Sequence, residues 1–347
     1  MNETSQTVTL SLADYQQLCR QVLIKSGVTA DIADEVIEAL LWCDLHGVSS
    51  HGMNMLPTYL ERLKSGGIVG NARPSIVRQK GALVQLDANG GFGQVAGRMA
   101  ADMASNLADE HGVGVVSVRN SNHAGALSCF TGRIAEKGKI GFLAHNVNPA
   151  VAPFGGAQAA IGTNPLSFAF PGNEFPILVD MATSATAKGK LYALARKSDT
   201  IPPDLALDKN GMPTTSVADA LKGILLPLGG PKGYALAVAV EILAGVISGG
   251  RIVSEIPSFH NSPDRPQGTS MFMLAIDPGC FISESEYKER IAQLTAHLKG
   301  TRPAANVESV LMPGEIEARM VAKRQAEGVP LPETLVEDVR HYLSGEK

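Results

Sequence analysis

The residues best suited to acid–base chemistry lie in the segment Asp44-Leu-His-Gly-Val-Ser-Ser-His-Gly52, which holds two histidines five positions apart. Histidine exchanges a proton near neutral pH because its unperturbed pKa is about 6.5. An apolar run with helical spacing precedes the segment, and an amphipathic run follows it. A reactive side chain on a short turn between two helices is well placed to meet a ligand. The pattern therefore predicts that His46 or His51 takes part in proton transfer.

The helices on either side of this turn have recognisable ends. Gly47 is a suitable residue to follow a helix over 31–46. Ser50 is predicted to cap a helix over 52–66, which Gly66-Gly67 ends. A helix start of this kind favours a nearby negative charge. The combination suits a ligand that carries a carboxylate.

Polar groups also follow three predicted strands. Asn120-Ser-Asn-His123 comes after a strand over 113–118, His145-Asn146 ends another, and Asp180-Met-Ala-Thr-Ser184 follows a third. Ligand-binding groups collect at the carboxyl ends of strands in α/β sheets. Asp180 can orient a histidine, or it can simply open the next helix as a capping residue. A lone histidine is more often structural, so position alone does not decide the role of His123.

Glycine-rich turns offer backbone amides that could hold a pyrophosphate. They are Pro153-Phe-Gly-Gly156, Gly162-Thr-Asn-Pro165 and Gly229-Gly-Pro-Lys-Gly-Tyr234. By spacing alone an ordinary turn is the better explanation for the first two, and the third lacks the P-loop pattern. Gly91-Phe-Gly-Gln-Val-Ala-Gly97 resembles a dinucleotide-binding turn, but its glycine spacing differs from that of the Rossmann fingerprint. It is predicted to start a helix over 94–110.

Metal chemistry is not expected. A catalytic zinc site needs three protein ligands, and His46 and His51 lack both the i,i+4 spacing and the H-E-x-x-H pattern. A metal-dependent hydrolase built on these histidines and His123 is kept as the alternative from another class.

Composition limits the partners. The chain has 347 residues, a net charge of −4, and hydrophobic and charged contents of 44% and 18%, which is ordinary for a soluble protein large enough for two domains. No cluster of Lys and Arg indicates nucleic acid or an anionic membrane, and no apolar run is long enough for a membrane span. The chain start lacks a signal-peptide pattern, and four cysteines occur without a C-x-x-C motif. A reduced cytoplasm is therefore the expected location.

The periodicity predicts α/β organisation with a mixed sheet. Several strands are separated by helical patterns, but three of them succeed one another without a helix, which favours antiparallel neighbours. The predicted strands are 82–87, 113–118, 140–146, 166–170, 177–180 and 271–276, and the helices between them are 94–110, 126–137, 184–196 and 233–248. Further helices are predicted over 9–26, from 284, from 313 to about 327, and over 332–343.

Taken together, the motifs resemble the signature of the type-2 malate/L-lactate dehydrogenase family, and most closely its broad-range hydroxycarboxylate dehydrogenases. The match runs in order over nearly the whole chain, and the ordered set is far more specific than any single piece. The motifs are Gly47-Val-Ser-Ser-His-Gly52, Pro57-x-Tyr59-x-x-Arg62, Asn120-Ser-x-His123, Ala152-Pro-Phe-Gly155, Gly162-Thr-Asn-Pro165, Asp180-Met-Ala-Thr-Ser184, Pro213-Thr-Thr215 and Lys232-Gly-Tyr234.

The resemblance implies an oxidoreductase that moves a hydride between NAD or NADP and C2 of a malate-like, lactate-like or bulkier 2-hydroxy acid. It implies a non-Rossmann α/β fold, with a mixed sheet flanked by helices and a helical domain formed by both chain ends. The corresponding division is a helical substrate and dimer domain over 1–75 with 285–347, and a cofactor-binding domain over 76–284. It also implies a homodimer with sites near the subunit boundary.

The family likeness assigns roles to individual residues. His51 would be the proton donor and acceptor, positioned with Asp180, while Ser50 and His123 would line the substrate and the nicotinamide. Arg62 and Asn146 are further candidates for substrate binding. The residues expected to hold the dinucleotide are His123, Pro153, Phe154, Gly155, Thr163, Asn164, Asp180, Met181, Ala182, Thr183 and Lys232.

Two departures from the family pattern affect these expectations. Many members carry an arginine four residues after the Ser-His-Gly histidine, where it can pair with the substrate carboxylate, and Met55 stands there in this chain. The carboxylate would then be bound by helix amides near Ser50 or by Arg62, with a preference for bulkier or less polar 2-oxo acids. Pro231 replaces the usual histidine before Lys-Gly.

The alternative functions are an NADPH-dependent reductase of a cyclic imino acid and a non-catalytic relative that binds no nicotinamide cofactor.

Overall fold

The computed structural model describes residues 6–195 and 198–344. Its strands are β1 (Thr7–Leu10), β2 (Ser75–Lys80), β3 (Leu83–Asp87), β4 (Val113–Ser121), β5 (Ile140–His145), β6 (Leu166–Phe170), β7 (Ile177–Met181), β8 (Ala206–Leu207), β9 (Ile224–Leu225), β10 (Thr269–Ile276) and β11 (Val329–Pro332). Its α-helices are α1 (Leu12–Lys25), α2 (Ala30–Leu45), α3 (Leu56–Ser65), α4 (Gly93–His111), α5 (Ser128–Glu136), α6 (Lys188–Leu194), α7 (Val217–Lys222), α8 (Pro231–Val240), α9 (Glu284–Lys299), α10 (Glu315–Glu327) and α11 (Glu333–Ser344).

The central sheet has seven strands in the order β2-β3-β4-β10-β5-β6-β7. The pair β3–β4 is parallel, and the other neighbouring pairs are antiparallel. This confirms the predicted mixed, non-Rossmann sheet, because a Rossmann sheet is built mostly of parallel strands. The antiparallel run from β5 to β7 is the part that the sequence shows as three strands without a helix between them.

Helices cover both faces of the sheet. On one face α4 and α5 pack against the sheet, and α4 presents a row of buried alanines, which lets its backbone approach closely. On the other face α8 continues into a π-helical turn, Glu241–Val246, which contacts β10 and β5. A π-helical turn inside a longer helix is rare and often marks a functional region.

The two chain ends form one helical unit. β1 pairs antiparallel with β11, so that Thr7 lies opposite Pro332. Side chains from α1, α2, α3 and α11 share one apolar core, in which Tyr15, Leu40 and Tyr59 are fully buried. Each large side chain buried in this way contributes about 1.5–3 kcal/mol. The segment that carries His51 is thus anchored to the end of the chain as well as to the sheet.

The structure differs from the sequence prediction at five strands. β1, β2, β8, β9 and β11 are not among the predicted strands, and the last two residues of β1 fall in a segment predicted as helix. All six residues of β2 are exposed, so the strand lacks the alternation of apolar and polar positions that marks a half-buried strand. β1 and β11 have four residues each and are too short to show a period.

The helix predicted over 52–66 also begins later. Ser49–His51 and Met53–Met55 form two 3-10 turns, and α3 starts at Leu56 with Pro57 in its first turn, where a missing N–H is tolerated. Ser50 therefore does not cap this helix. Gly66 ends it in the left-handed conformation, as predicted.

The strands β4, β5 and β7 run in the same direction, so their carboxyl ends meet at one edge of the sheet. His123, Asn146 and Asp180 lie at or just beyond these ends. The turn that bears His51 comes to the same edge from the helical unit.

Candidate active site

A buried carboxylate holds the turn that carries His51. Asp44, near the end of α2, is 1% exposed, and its Oδ2 accepts hydrogen bonds from the Tyr15 hydroxyl and the Met53 amide, each at 2.7 Å. A Cβ on Gly52 would lie only 2.1 Å from this carboxylate. The turn can therefore approach Asp44 because residue 52 is glycine.

His51 is held by two side chains. The Ser50 Oγ lies 2.8 Å from His51 Nδ1, and the ring of His123 stacks on that of His51 with centroids 5.5 Å apart and planes 19° apart. Burial lowers the pKa of His51, and the negative charge of Asp180 opposes that shift. A neutral imidazole at physiological pH can accept a proton from a ligand.

His123 is enclosed by aromatic and polar groups. The Tyr59 Oη lies 2.7 Å from His123 Nδ1, and the Gln94 Nε2 donates to Tyr59 Oη at 2.6 Å. The Phe259 ring lies 4.9 Å from the imidazole, centroid to centroid. Burial and then the neighbouring positive groups, His51 first among them, lower the pKa of His123 well below its usual value. His123 is therefore neutral near pH 7.

The glycine turn at 91–97 has a packing role. A Cβ on Gly93 would lie 2.3 Å from the Asn122 carbonyl oxygen and 2.5 Å from that of His123. The first residue of α4 thus presses directly against the segment that carries His123. The turn starts a helix, as the sequence predicts, and its contact with residues 122 and 123 supports the position of the His123 side chain.

Asp180 lies on the edge strand β7 and faces α5. Its Oδ2 accepts two hydrogen bonds of 2.8 Å from Ser128, one from the amide and one from the hydroxyl. Loss of hydration beside the surrounding protein raises the pKa of Asp180, while the hydrogen bonds from Ser128 and the charge of His51 lower it. In the part of the chain that the structure describes, no direct hydrogen bond joins Asp180 to His51. Their interaction is electrostatic.

The structure gives Arg62 a different position from the one expected. Its side chain is fully buried, and its two terminal nitrogens donate to the carbonyls of Phe259, Ser262, Arg265 and Gly67 at 2.7–3.5 Å. The guanidinium group pins the segment 257–267, whose Phe259 covers His123. These bonds leave it little capacity for a substrate carboxylate, which favours a structural role over the predicted role in substrate binding.

Asn146 and Asn164 also turn inward. Both are fully buried and donate to the carboxylate of Glu241, Asn146 to Oε1 at 3.1 Å and Asn164 to Oε2 at 2.6 Å. Their second N–H bonds go to the Arg251 and Ala237 carbonyls, at 2.9 and 3.0 Å. Since every amide hydrogen is used, the structure favours an internal network for these two side chains over the predicted contacts with substrate and cofactor.

Two segments expected to bind a dinucleotide are joined directly. The amide and the hydroxyl of Thr183 both donate to the Thr163 carbonyl at 2.9 Å. The Thr183 carbonyl in turn accepts from the Leu228 amide at 2.9 Å. The turn 162–165 and the segment 180–184 are thus brought next to the loop that leads to Gly229.

The third glycine-rich turn, 229–234, lies beside the turn at 153–156. A Cβ on Gly230 would lie 3.5 Å from the ring of Phe154, which is 59% exposed. Lys232 is exposed in the first turn of α8, and a Cβ on Gly155 or Gly229 would meet nothing within 4 Å. Open glycine backbone beside an exposed lysine fits a dinucleotide pyrophosphate. Of the remaining predicted cofactor residues, Pro153, Met181 and Ala182 are partly exposed.

The first histidine of the opening segment is structural. His46 stacks on Trp42 at 3.6 Å between ring centroids, and its Nδ1 lies 2.8 Å from the Trp42 carbonyl oxygen. Within residues 6–195 and 198–344, no group of three or more His, Cys, Asp or Glu side chains is arranged to hold a metal ion. The hydrolase alternative therefore lacks a ligand set there. In the same ranges no helix is long and apolar enough to cross a membrane.

Several supporting residues are absent from the sequence prediction. Gln94, Ser128 and Glu241 act on segments 35, 52 and 95 positions away, and no local pattern marks them. Asp44 has a detectable signal, because it is an acidic residue at the end of an otherwise apolar helix pattern that leads into the histidine turn.

Comparison with known sequences gives a consistent result. A family model described as malate/L-lactate dehydrogenase matches residues 10–340. The L-sulfolactate dehydrogenase of Methanocaldococcus jannaschii is 39% identical over 312 residues, which are 89% of each chain. The malate dehydrogenase of Pyrococcus horikoshii is 35% identical over 327 residues, covering 92% of this chain and 90% of the relative.

Solved structures share the whole fold. The sulfolactate dehydrogenase from M. jannaschii superposes with a TM-score of 0.92 at 36% identity and covers 97% of both chains. A Δ1-piperideine-2-carboxylate reductase from Pseudomonas syringae superposes with a TM-score of 0.87 at 30% identity, covering 96% of this chain and 99% of that one.

Proposed function

The chain belongs to the malate/L-lactate dehydrogenase family and is an oxidoreductase, and we propose that it transfers a hydride between NAD or NADP and C2 of a 2-hydroxy or 2-oxo carboxylic acid. The observation that carries this proposal is the stacked pair His51 and His123 at the sheet edge where β4 and β7 end. Such a reaction needs an imidazole that exchanges a proton beside a site for an anionic dinucleotide.

His51 is the acid and base in this proposal. A bound nicotinamide would supply the hydride acceptor for oxidation and the hydride donor for reduction. His51 takes the proton of the substrate hydroxyl during oxidation and returns it during reduction. Asp180 stabilises the imidazolium through its charge, and Ser50 holds the ring at Nδ1, which leaves Nε2 for the substrate.

We place the substrate beside the stacked rings of His51 and His123. Ser50 is exposed and Met55 is partly exposed on the His51 turn, and the ring of Phe259 packs against that of His123. The apolar Met55 and Phe259 favour an acid with a bulky or weakly polar side chain. Ser50 and His123 remain the polar groups proposed to touch the substrate.

The cofactor is proposed to rest on the glycine turns at 153–156 and 229–232 and on the segment 180–184. Lys232 supplies the positive charge for the pyrophosphate, since a lysine beside open amides forms charge-assisted hydrogen bonds with phosphate oxygens. The hydrogen bond from the Thr183 hydroxyl to the Thr163 carbonyl joins the segment 180–184 to the turn 162–165 beneath the proposed cofactor. Either NAD or NADP is compatible with this arrangement.

The proposed assembly is a homodimer in the cytoplasm. The described residues expose an apolar strip on α8 and the turn that follows it, formed by Leu236, Ile242, Val246 and Ile247 at 43–56% exposure. Exposed apolar patches of this kind commonly form subunit interfaces. We further propose that residues 1–75 with 285–347 form the substrate and dimer domain and that 76–284 form the cofactor domain, which adds the strip on α8 to the subunit interface. Light scattering of the purified protein tests the dimer.

A substrate panel tests the proposed function. Pyruvate, oxaloacetate, sulfopyruvate and longer 2-oxo acids are each incubated with NADH and with NADPH, and the loss of reduced cofactor is followed by absorbance. We expect turnover of at least one 2-oxo acid. If no acid is turned over while either reduced cofactor binds, the proposal is contradicted.

A cyclic imino acid reductase is the second candidate. The whole-chain similarity to a Δ1-piperideine-2-carboxylate reductase supports it. Adding this imine to the panel separates the two functions, because an imino acid reductase turns over the imine faster than any 2-oxo acid.

A further inference from the structure

A chain of hydrogen bonds runs from the interior of the protein to His123. Gln94 is 1% exposed and Tyr59 is fully buried. The Gln94 Nε2 donates to Tyr59 Oη at 2.6 Å, and Tyr59 Oη lies 2.7 Å from His123 Nδ1. The order in which protons occupy this chain decides what His123 can do.

The proton positions follow from counting donors. A phenol has one proton, and Tyr59 Oη already accepts a hydrogen bond from Gln94. The Tyr59 proton therefore points to His123 Nδ1, which must accept it with its lone pair. A neutral imidazole whose Nδ1 is an acceptor carries its own proton on Nε2.

We propose that Tyr59 and Gln94 are positioning residues that hold His123 as the neutral tautomer with its proton on Nε2. In this state His123 donates a hydrogen bond to the substrate and does not act as a second base. The inference rests on the proposed function for the identity of the substrate, and it assigns the two stacked histidines separate tasks. His51 exchanges the proton, and His123 binds an oxygen of the acid.

The opposite proton order is disfavoured by the Gln94 amide. With the Gln94 amide oriented as in the structure, its Oε1 is a buried atom without a hydrogen-bond partner. If the hydrogen bonds ran in the opposite direction, the Gln94 amide would be flipped. Its Oε1 would then face Tyr59, and both of its N–H bonds would be buried without an acceptor. Buried N–H groups without partners are rarer in proteins than buried oxygens without partners. The surroundings also oppose a charged His123, because burial and the nearby His51, His145, His260 and Arg62 lower its pKa.

A neutral donor at this position has a clear use. It can bind the substrate carboxylate, or the C2 oxygen as negative charge develops there, without requiring its own protonation. Arg62 is occupied by backbone carbonyls, and Met55 has no hydrogen to donate. His123 Nε2 thus supplies the polar contact that the turn around Met55 lacks.

The tautomer can be read directly by NMR. Protein labelled with 15N at the histidine rings is measured near neutral pH, with His123→Asn used to assign the His123 signals. We expect an unprotonated Nδ1 and a protonated Nε2 for His123. A protonated Nδ1, in either the neutral or the charged ring, overturns the proposal.

Two variants test the positioning role. In Tyr59→Phe we expect the His123 signals to move towards a mixture of tautomers, and kcat/KM for the 2-oxo acid to fall about tenfold, as for the loss of one hydrogen bond. The affinity for NAD(P)H should stay within about twofold of the wild type. Gln94→Leu should shift the tautomer in the same direction, whereas Tyr287→Phe, which loses a hydroxyl that donates to the Pro171 carbonyl, should leave it unchanged.

The outcomes separate the inference from the proposed function. If Tyr59→Phe folds and leaves both the tautomer and kcat/KM unchanged, the positioning role is overturned. If the wild type turns over no 2-oxo acid, the proposed function fails, and the NMR spectrum still decides the tautomer.

Discussion

The imidazole rings of His51 and His123 stack with their centroids 5.5 Å apart, although the two residues are 72 positions apart in the chain. Two rings this close cannot both be charged at low cost, because each positive charge disfavours the other. This short distance therefore favours a site in which His51 exchanges a proton while His123 stays neutral. The stacking itself is fixed by groups behind each ring, Ser50 for His51 and Tyr59 for His123.

Asp180→Asn tests the electrostatic support of His51. The carboxylate of Asp180 opposes the lowering of the His51 pKa by burial, so its removal should lower that pKa further. His51 must be protonated to donate to a 2-oxo acid, and activity in reduction falls as the pH rises through its pKa. We expect this fall in kcat/KM to begin at a lower pH in Asp180→Asn than in the wild type or in the exposed control Asp338→Asn. An unmoved profile would count against the assignment of Asp180.

Lys232→Gln tests the proposed cofactor surface. Removing one charge-assisted hydrogen bond to a pyrophosphate should weaken NAD(P)H binding about tenfold. The kcat at saturating cofactor should change little, because Lys232 is placed away from the reacting atoms. Fluorescence titration measures the affinity, and Lys323→Gln, on the exposed side of α10, is the matched control. Equal affinity in Lys232→Gln and the control would remove the turn at 229–232 from the cofactor site.

Arg62→Lys tests whether Arg62 is structural. Lysine cannot supply the two-nitrogen fork that donates to the Phe259, Ser262 and Arg265 carbonyls. We expect the free energy of unfolding to fall by roughly 3 kcal/mol, measured by urea denaturation, with the exposed Arg20→Lys as control. A large rise in KM for the 2-oxo acid without any loss of stability would instead return Arg62 to the substrate site.

Histidines whose pKa values are lowered by burial should make the fold sensitive to acid. Burial lowers the pKa of His46 and of His145 to about 4, whereas the unfolded chain has a histidine pKa of about 6.5. Between these values the unfolded state binds more protons than the folded state, so stability is lost as the pH falls through this window. Each histidine contributes a slope of up to about 1.4 kcal/mol per pH unit.

His145→Leu isolates one of these contributions. The Nε2 of His145 is buried without a hydrogen-bond partner, so leucine should keep the stability at neutral pH within about 1 kcal/mol. The variant should lose less stability than the wild type between pH about 7 and about 5. Urea denaturation at both pH values measures the difference, and the exposed His297→Gln is the control. An identical acid loss in His145→Leu and the wild type would exclude His145 as its source.

Local patterns predicted the parts of the fold that rest on local physics. The strand-end rule placed His123 and Asp180 at the edge of the sheet where they are found, and aliphatic runs identified six strands of the central sheet. The same rule chose Asn146, whose amide instead binds Glu241, 95 positions later. Arg62 likewise binds three carbonyls that lie about 200 positions away. Partners so distant in sequence leave no local trace.

The most direct test of the account is the turnover of His51→Asn with the best 2-oxo acid of the panel. Asparagine keeps a polar side chain of similar length but cannot exchange a proton near neutral pH. We predict that kcat falls by about 10²- to 10⁴-fold, as for the loss of a general acid–base group, while the affinity for NAD(P)H stays within about twofold of the wild type. A folded His51→Asn with wild-type turnover would contradict the assignment of His51 as the acid and base.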